Sequence, residues 1–272
     1  MILEIIKFIF YSSLIVIISK YILVKYLRNL AESLNLKAKT VGDIAGYATS
    51  VPELLTITTS SVRGFLGASI YNILSSNIIN LVQYLATIIF NKNTKKLNNK
   101  AIRIDMILVI ITILIPIALL RLNIKLDIYI VPLFIILYAL FVFLNSSVHK
   151  LYLENITDED NEKNKKRNIK ETVKSIVILF FTCVVLYVIG DLLGNSLEIL
   201  CNLFNVPEFI VGTLLGFITS IPELITFFES QRHYKKQSDE MLGVVEATNN
   251  LLTSNIMNLF IIQTIGILII RI

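Results

Sequence analysis

Cysteine is nearly absent from this chain of 272 residues. The two present, Cys183 and Cys201, are widely spaced and form no CxxC pair, which excludes a thiolate metal site and a redox motif and suggests two buried free thiols. The strand-like alternation and frequent turn signals of a barrel are missing as well. The first apolar segment has no positively charged start and no small-residue cleavage pattern before Lys20-Tyr21, so it is expected to be a retained helix and not a signal peptide. No convergent set of aromatic or apolar pocket residues suggests an organic substrate. Charge is sparse, at 17% of residues, and the net balance of +5 sits in short loops. There it reports membrane orientation and not nucleic-acid binding.

What the chain has in quantity is apolar length. With 55% hydrophobic residues and a mean hydropathy of +0.73, it is too apolar for a soluble domain of this size. The apolar runs are about 20 residues long, the length that a helix needs to cross the hydrocarbon. The fold expected is therefore an all-α polytopic membrane bundle. Its spans fall near 5–27, 40–60, 66–90, 104–122, 127–145, 173–204, 208–230 and 241–270, eight in all. A polar stretch at 148–172, acidic and then basic, reads as a solvated linker. It separates a first half, 1–147, from a second, 173–272.

Two segments repeat. Residues 41–60 and 211–230 are identical at ten of twenty positions, including Thr49-Ser50 and Pro52-Glu53 against Thr219-Ser220 and Pro222-Glu223. Further on, Asn72–Leu81 and Asn250–Leu259 share seven of ten residues. In these stretches Asn72, Ser76 and Asn80, and likewise Asn250, Ser254 and Asn258, recur every four residues and so share one helix face. The repeats thus cover 41–90 and 208–262. Placing the N-terminus outside gives nineteen Lys or Arg to the inner junctions and five to the outer ones. That is a strong positive-inside bias, with the 148–172 linker inside. Each element recurs five spans later, an odd number, so the repeats are inverted with respect to each other.

Each proline helix carries a chemistry that lipid makes costly. Burying a carboxylate at a helix centre costs on the order of 3 kcal/mol on insertion scales. Thr49 and Ser50 stand four and three residues before Glu53, on one face, and Pro52 frees the carbonyl of Ala48 from its helical donor. Thr219, Ser220, Glu223 and Pro222 form the mirror half-site. Oxygen sets of this kind suit hard cations, and calcium takes 6 to 8 such ligands, which two facing halves can supply. Asn80 and Asn258 add neutral amide oxygens. Two glutamates are neutralised by one divalent cation, two monovalent cations or two protons. A doubly charged empty site is costly to occlude, which favours exchange over uniport. Asp43 and Glu246 lie nearer the ends of their spans and are expected at a solvated or interfacial level. The middle spans, 104–122 and 127–145, are expected to carry no carboxylate in their interiors and to serve packing.

The pair TSVPELL and TSIPELI, each followed by SSNIIN or TSNIMN, resembles the two alpha-repeats of the sodium/calcium exchanger family within the cation/calcium antiporter superfamily. The resemblance implies a secondary antiporter, not an enzyme and without a cofactor, that exchanges Ca2+ or another divalent cation for Na+ or H+. It also implies cation sites lined by Thr49, Ser50, Glu53, Ser76, Asn80, Thr219, Ser220, Glu223, Ser254 and Asn258, with alternating access by sliding of the first and sixth helices. Its partners would be the lipid membrane and inorganic cations, and its location the plasma (inner) membrane. Glycine usually precedes the Thr-Ser pair in that family; here Ala48 and Ile218 stand there, with Gly46 and Gly216 two residues earlier. Where many sodium-coupled members carry an aspartate, this chain has asparagine at both 80 and 258, so potassium dependence is not expected and protons stand beside sodium as coupling ions. The family has ten helices, and the eight expected here leave one flank for lipid, a partner subunit or a homo-oligomer to cover. The alternative reading is a degenerate exchanger homologue with a structural or regulatory role and no transport, suggested by the short second half and by Ile218.

Overall fold

A computed structural model of the chain describes residues 2–34, 36–62, 66–122, 124, 126–158, 169–203 and 207–270, and helix dominates throughout them. Helix α1 (Ile2–Ile18) passes through a π-helical turn, Ser19–Leu23, into α2 (Val24–Leu34). The first proline segment is a broken pair, α3 (Ala38–Thr49) and α4 (Val51–Val62). Then come α5 (Leu66–Phe90), α6 (Lys100–Arg121), α7 (Val131–Asp158) and α8 (Ile169–Leu203). The second broken pair is α9 (Glu208–Thr219) and α10 (Ile221–Lys236). Helix α11 (Glu240–Ile256) then runs through a second π-helical turn, Met257–Ile262, into α12 (Gln263–Ile270).

Six of these stretches are helices long and apolar enough to cross a membrane: Ile2–Leu34, Tyr71–Phe90, Lys100–Arg121, Ile128–Tyr152, Ile169–Leu200 and Glu240–Ile269. With the two broken pairs this makes the eight expected segments. The chain is an integral membrane protein of the all-α class. Helix enters the 148–172 stretch from both ends, since α7 runs on to Asp158 and α8 begins at Ile169; residues 159–168 lie outside those described. Helix α8 is continuous through Gly190 and Gly194. Cys183 is a free thiol that α8 leaves partly exposed, and the side chain of Cys201 lies outside the described residues.

The breaks follow from proline. Ser50 (φ −79, ψ 0) and Ser220 (φ −81, ψ 1) leave helical geometry for a single residue. Both sites keep the flanking bonds, Ser50 N to Gly46 O at 3.2 Å and Ser220 N to Gly216 O at 3.2 Å. Pro52 and Pro222 have no N–H to continue the ladder.

The repeats exchange partners: α3 packs along α11, and α9 along α5. Glycine makes that approach possible. A Cβ on Gly46 would come within 2.8 Å of Asn250 O and of Thr253 Cβ. One on Gly216 would come within 2.8 Å of Asn72 O and would strike Ser75 Oγ. Without a hydrophobic drive between helices in lipid, such close van der Waals contact is a main source of association. Helices α6 and α7 cover α11 with an apolar cluster that includes Ile102, Val109, Phe134, Phe141 and Phe260. On the other side α1 and α8 pack together over α3 and α9 through Ile15, Leu23, Ala45, Leu186, Leu193 and Ile218.

Two expectations about charged residues are corrected. Glu246 is not solvated: it is buried against Arg28, whose Nη1 and Nη2 donate to its two carboxylate oxygens at 2.8 Å each. Nor is the first middle span free of buried carboxylate. Asp105 is fully buried in α6, 2.7 Å from His149 Nε2 and 3.0 Å from Asn145 Nδ2, both on α7. Asp43 is partly exposed, paired with Lys39 at 2.8 Å and accepting from Thr253 Oγ1 at 3.1 Å.

Candidate cation site

The ten residues named from sequence converge. All are buried, none more than 1% exposed, so the cluster they form is closed to solvent on every side. The breaks in α3/α4 and α9/α10 bring Thr49 and Ser50 against α11 and Thr219 and Ser220 against α5, while Glu53 faces α5 and Glu223 faces α11. The four-residue periodicity of α5 and α11 aims Ser76, Asn80, Ser254 and Asn258 back at them.

The geometry repeats about a pseudo-two-fold axis. Ser76 Oγ donates to Glu53 Oε1 at 2.9 Å, and Ser254 Oγ donates to Glu223 Oε1 at 2.9 Å. Across the axis Ser76 and Ser220 hydroxyls meet at 2.9 Å, and Ser50 and Ser254 hydroxyls at 3.0 Å. The threonine hydroxyls turn to backbone instead, Thr219 Oγ1 donating to Leu215 O at 3.0 Å and Thr49 Oγ1 lying 3.4 Å from Gly46 O. Each glutamate is therefore held by a serine of its own repeat, and that serine meets a serine of the other.

Three buried oxygens in this cluster, Glu223 Oε2, Asn80 Oδ1 and Asn258 Oδ1, have no hydrogen-bond donor among the described residues. Leaving a buried polar atom unbonded costs about 1–3 kcal/mol, and more for a charged group. Hard cations are bound by such oxygens, and the donor set fits one. The amide nitrogens beside them are spent: Asn80 Nδ2 reaches Ser254 Oγ at 3.4 Å and Asn255 Oδ1 at 3.3 Å, and Asn258 Nδ2 reaches Ser76 Oγ at 3.4 Å and Asn77 Oδ1 at 3.2 Å. Ile218 lies apart from these groups, with its side chain in the α1/α8 cluster.

Several residues escaped the sequence reading. Asn77 and Asn255 belong to the identities between the repeats, but the search for a four-residue stripe passed over them. Asn72 and Asn250 lie on the stripe without joining the ligand set. Asn250 Oδ1 stands 3.5 Å from Thr49 Oγ1, and its nitrogen donates to Thr226 Oγ1 at 2.5 Å. The Asp105–His149–Asn145 group meets α11 at Asn249, whose Oδ1 accepts from Asn145 at 3.1 Å. Its four members come from three helices, and no local pattern marks them.

Comparison with known proteins points one way. The family model described as sodium/calcium exchanger protein matches residues 5–146 and 174–272. Among solved structures the chain is similar to the sodium-calcium exchanger NCX_Mj in several ionic conditions. Against the form soaked with 10 mM Na+ and zero Ca2+ the TM-score is 0.61 at 21% identity, over 99% of this chain and 84% of that one. For the form in 100 mM Na+ and 10 mM Sr2+ the score is 0.62 at 21% identity, over 99% and 83%. With 2.5 mM Na+ and 0.1 mM Ca2+ it is 0.60 at 23% identity, again over 99% and 83%. At such identities the likeness establishes the fold. No curated protein matches the chain.

Proposed function

The chain belongs to the sodium/calcium exchanger family, a family of transporters, and on that premise we propose that it exchanges Ca2+ or another divalent cation for Na+ or H+ by alternating access. The observation that carries the reading is the closed oxygen cluster, where two glutamates meet hydroxyls and two amide oxygens that lack donors. Glu53 and Glu223 supply the charge. Thr49, Ser50, Thr219 and Ser220 supply hydroxyls at the helix breaks, Ser76 and Ser254 orient the carboxylates, and Asn80 and Asn258 supply neutral oxygens. The cations are cargo.

The charge of the site decides the mode of transport. With asparagine at 80 and 258, the two glutamates carry the whole negative charge of the ten-residue set. One divalent cation neutralises it, and so do two sodium ions or two protons. A doubly anionic site is costly to close inside the membrane, so the return step is loaded and transport is obligatory exchange. The movement proposed is a slide of α1–α2 and α8 across the other helices. These segments pack mainly on one another, and α1 and α8 carry long exposed apolar faces.

Reconstitution into proteoliposomes tests this. Calcium uptake is expected when a sodium or pH gradient is imposed, and none without a counter-cation on the opposite side. Glu53→Gln and Glu223→Gln are each expected to lower uptake by at least about tenfold, since each removes half of the charge that binds the ion. Failure of both gradients to move calcium or any other divalent cation rejects the proposal.

A further inference from the structure

We propose that Asn77 and Asn255 are positioning residues that hold Asn258 and Asn80 with amide oxygen, not NH2, toward the cation. The role presupposes the cation exchange proposed above.

A primary amide has chemically opposite ends: its oxygen accepts or ligates, while its NH2 donates and repels a cation. The two ends have nearly the same shape, so packing alone distinguishes them poorly. A liganding asparagine therefore needs a partner that tells the ends apart. Serine cannot do this reliably, because a hydroxyl turns to donate or accept. A backbone carbonyl can, since it only accepts.

The bonds around the pseudo-two-fold axis form that sequence of constraints. Asn77 Nδ2 donates to the backbone oxygen of Asn255 at 3.3 Å, and Asn255 Nδ2 donates to the backbone oxygen of Asn77 at 3.3 Å. Each carbonyl fixes the sense of the opposite side chain. The Asn77 Oδ1 must then point away from that carbonyl, and there it accepts from Asn258 Nδ2 at 3.2 Å. Likewise Asn255 Oδ1 accepts from Asn80 Nδ2 at 3.3 Å. With both nitrogens committed, the Oδ1 atoms of Asn80 and Asn258 are the ends left without a donor. Asn255 Nδ2 also lies 3.5 Å from Thr112 Oγ1, whose own proton goes to Val109 O at 2.6 Å, so this hydroxyl can only accept and agrees with the same sense. Asn77, Asn80, Asn255, Asn258 and Thr112 are all buried, so water does not compete for these groups. The control crosses between repeats: residue 77 of the first orients residue 258 of the second, and residue 255 orients residue 80.

A carboxylate has two equal oxygens and nothing to orient, and this supplies the test. Calcium binding to the purified full chain is measured by titration calorimetry, and half-saturating calcium by uptake into proteoliposomes. The variants are Asn77→Ala, Asn258→Asp, Asn80→Asp and the doubles that combine Asn77→Ala with each aspartate. Asn77→Ala is expected to weaken calcium affinity about tenfold in the otherwise unaltered chain. In the Asn258→Asp background the same change is expected to cost less than about twofold, and in the Asn80→Asp background its full effect is retained. The mirror set repeats the measurement independently should Asn77→Ala fail to fold: Asn255→Ala is rescued by Asn80→Asp and not by Asn258→Asp. An equal loss in both aspartate backgrounds, as from a merely structural residue, overturns the positioning role while leaving cation exchange intact, and so does no loss in any background. If the unaltered chain binds no calcium or other divalent cation, the exchange reading falls and the positioning role falls with it.

Discussion

Arg28 and Glu246 show how far a single residue's energetics depend on its neighbours. The pair is bidentate, Ser230 Oγ adds a third bond to Glu246 at 2.5 Å, and the guanidinium lies 5.7 Å from the Tyr234 ring centre. Removing one partner leaves the other charge buried and uncompensated, at a cost of about 3–5 kcal/mol. Thermal unfolding in detergent is expected to show Arg28→Ala and Glu246→Ala each strongly destabilised. The double variant Arg28→Met with Glu246→Leu is expected to be nearer the unaltered chain than either single, because it leaves no orphan. Equal, additive losses would show that the pair is not coupled. The pairing also means that Arg28, counted with the inner charges, is not a free interfacial cation.

His233, in the last turn of α10, behaves in the opposite sense. Burial first, and the charges of Arg28 and Lys236 second, hold its pKa down to about 4 from 6.5. The folded state thus prefers the neutral ring. The stability this contributes is complete above the unfolded pKa and is lost as pH falls from there toward the folded one. His233→Ala is expected to flatten that acid-side loss, measured by thermal unfolding across pH 4 to 7, and to leave stability at pH 8 without the pH-linked change.

At the scale of elements, the broken helices and the glycines beside them set how closely the repeats approach. Gly46 is surrounded on the α11 side, and an added Cβ meets backbone and a Cβ that cannot give way cheaply. Gly46→Ala is expected to destabilise by about 1–3 kcal/mol through overpacking. Gly194 in α8 is the contrast, since nothing lies within 4 Å of its notional Cβ. There alanine is expected to stabilise by about 0.5–1 kcal/mol through helix propensity alone. Parallel melts of the two variants in one detergent compare them directly, and a loss at Gly194 matching that at Gly46 would refute the packing account. The π-helical turn Met257–Ile262 contains Asn258, while Asn80 sits in the unbroken helix α5. The two halves of the site are therefore near-symmetric in side chains and asymmetric in backbone.

For the whole molecule, the orientation proposed from the charge asymmetry predicts the turn around Lys95 inside and Tyr129 outside. Tyr129 is 86% exposed, which makes it a suitable reporter position. On a Cys183→Ser, Cys201→Ser background in intact cells, Tyr129→Cys is expected to react with a membrane-impermeant maleimide, and Lys95→Cys only after permeabilisation. The reverse pattern would invert the topology and with it the direction assigned to each half of the repeat.

The sequence alone determined the membrane class, the duplicated proline-glutamate and asparagine segments and the two carboxylates at their centre. Each rests on local or repeated patterns: apolar length, four-residue spacing, and the cost of a charge in lipid. It misjudged Glu246 and Asp105, because their partners Arg28 and His149 lie on other helices and nothing near them in the chain announces the pairing. The tertiary structure alone decided which serine meets which serine across the axis, that Ile218 turns away from the site, and that backbone carbonyls at 77 and 255 settle the sense of two amides. The bonds among them join donors and acceptors brought together by packing over 144 to 204 residues of chain separation. Helical periodicity can say which face a residue occupies, but not what waits opposite it.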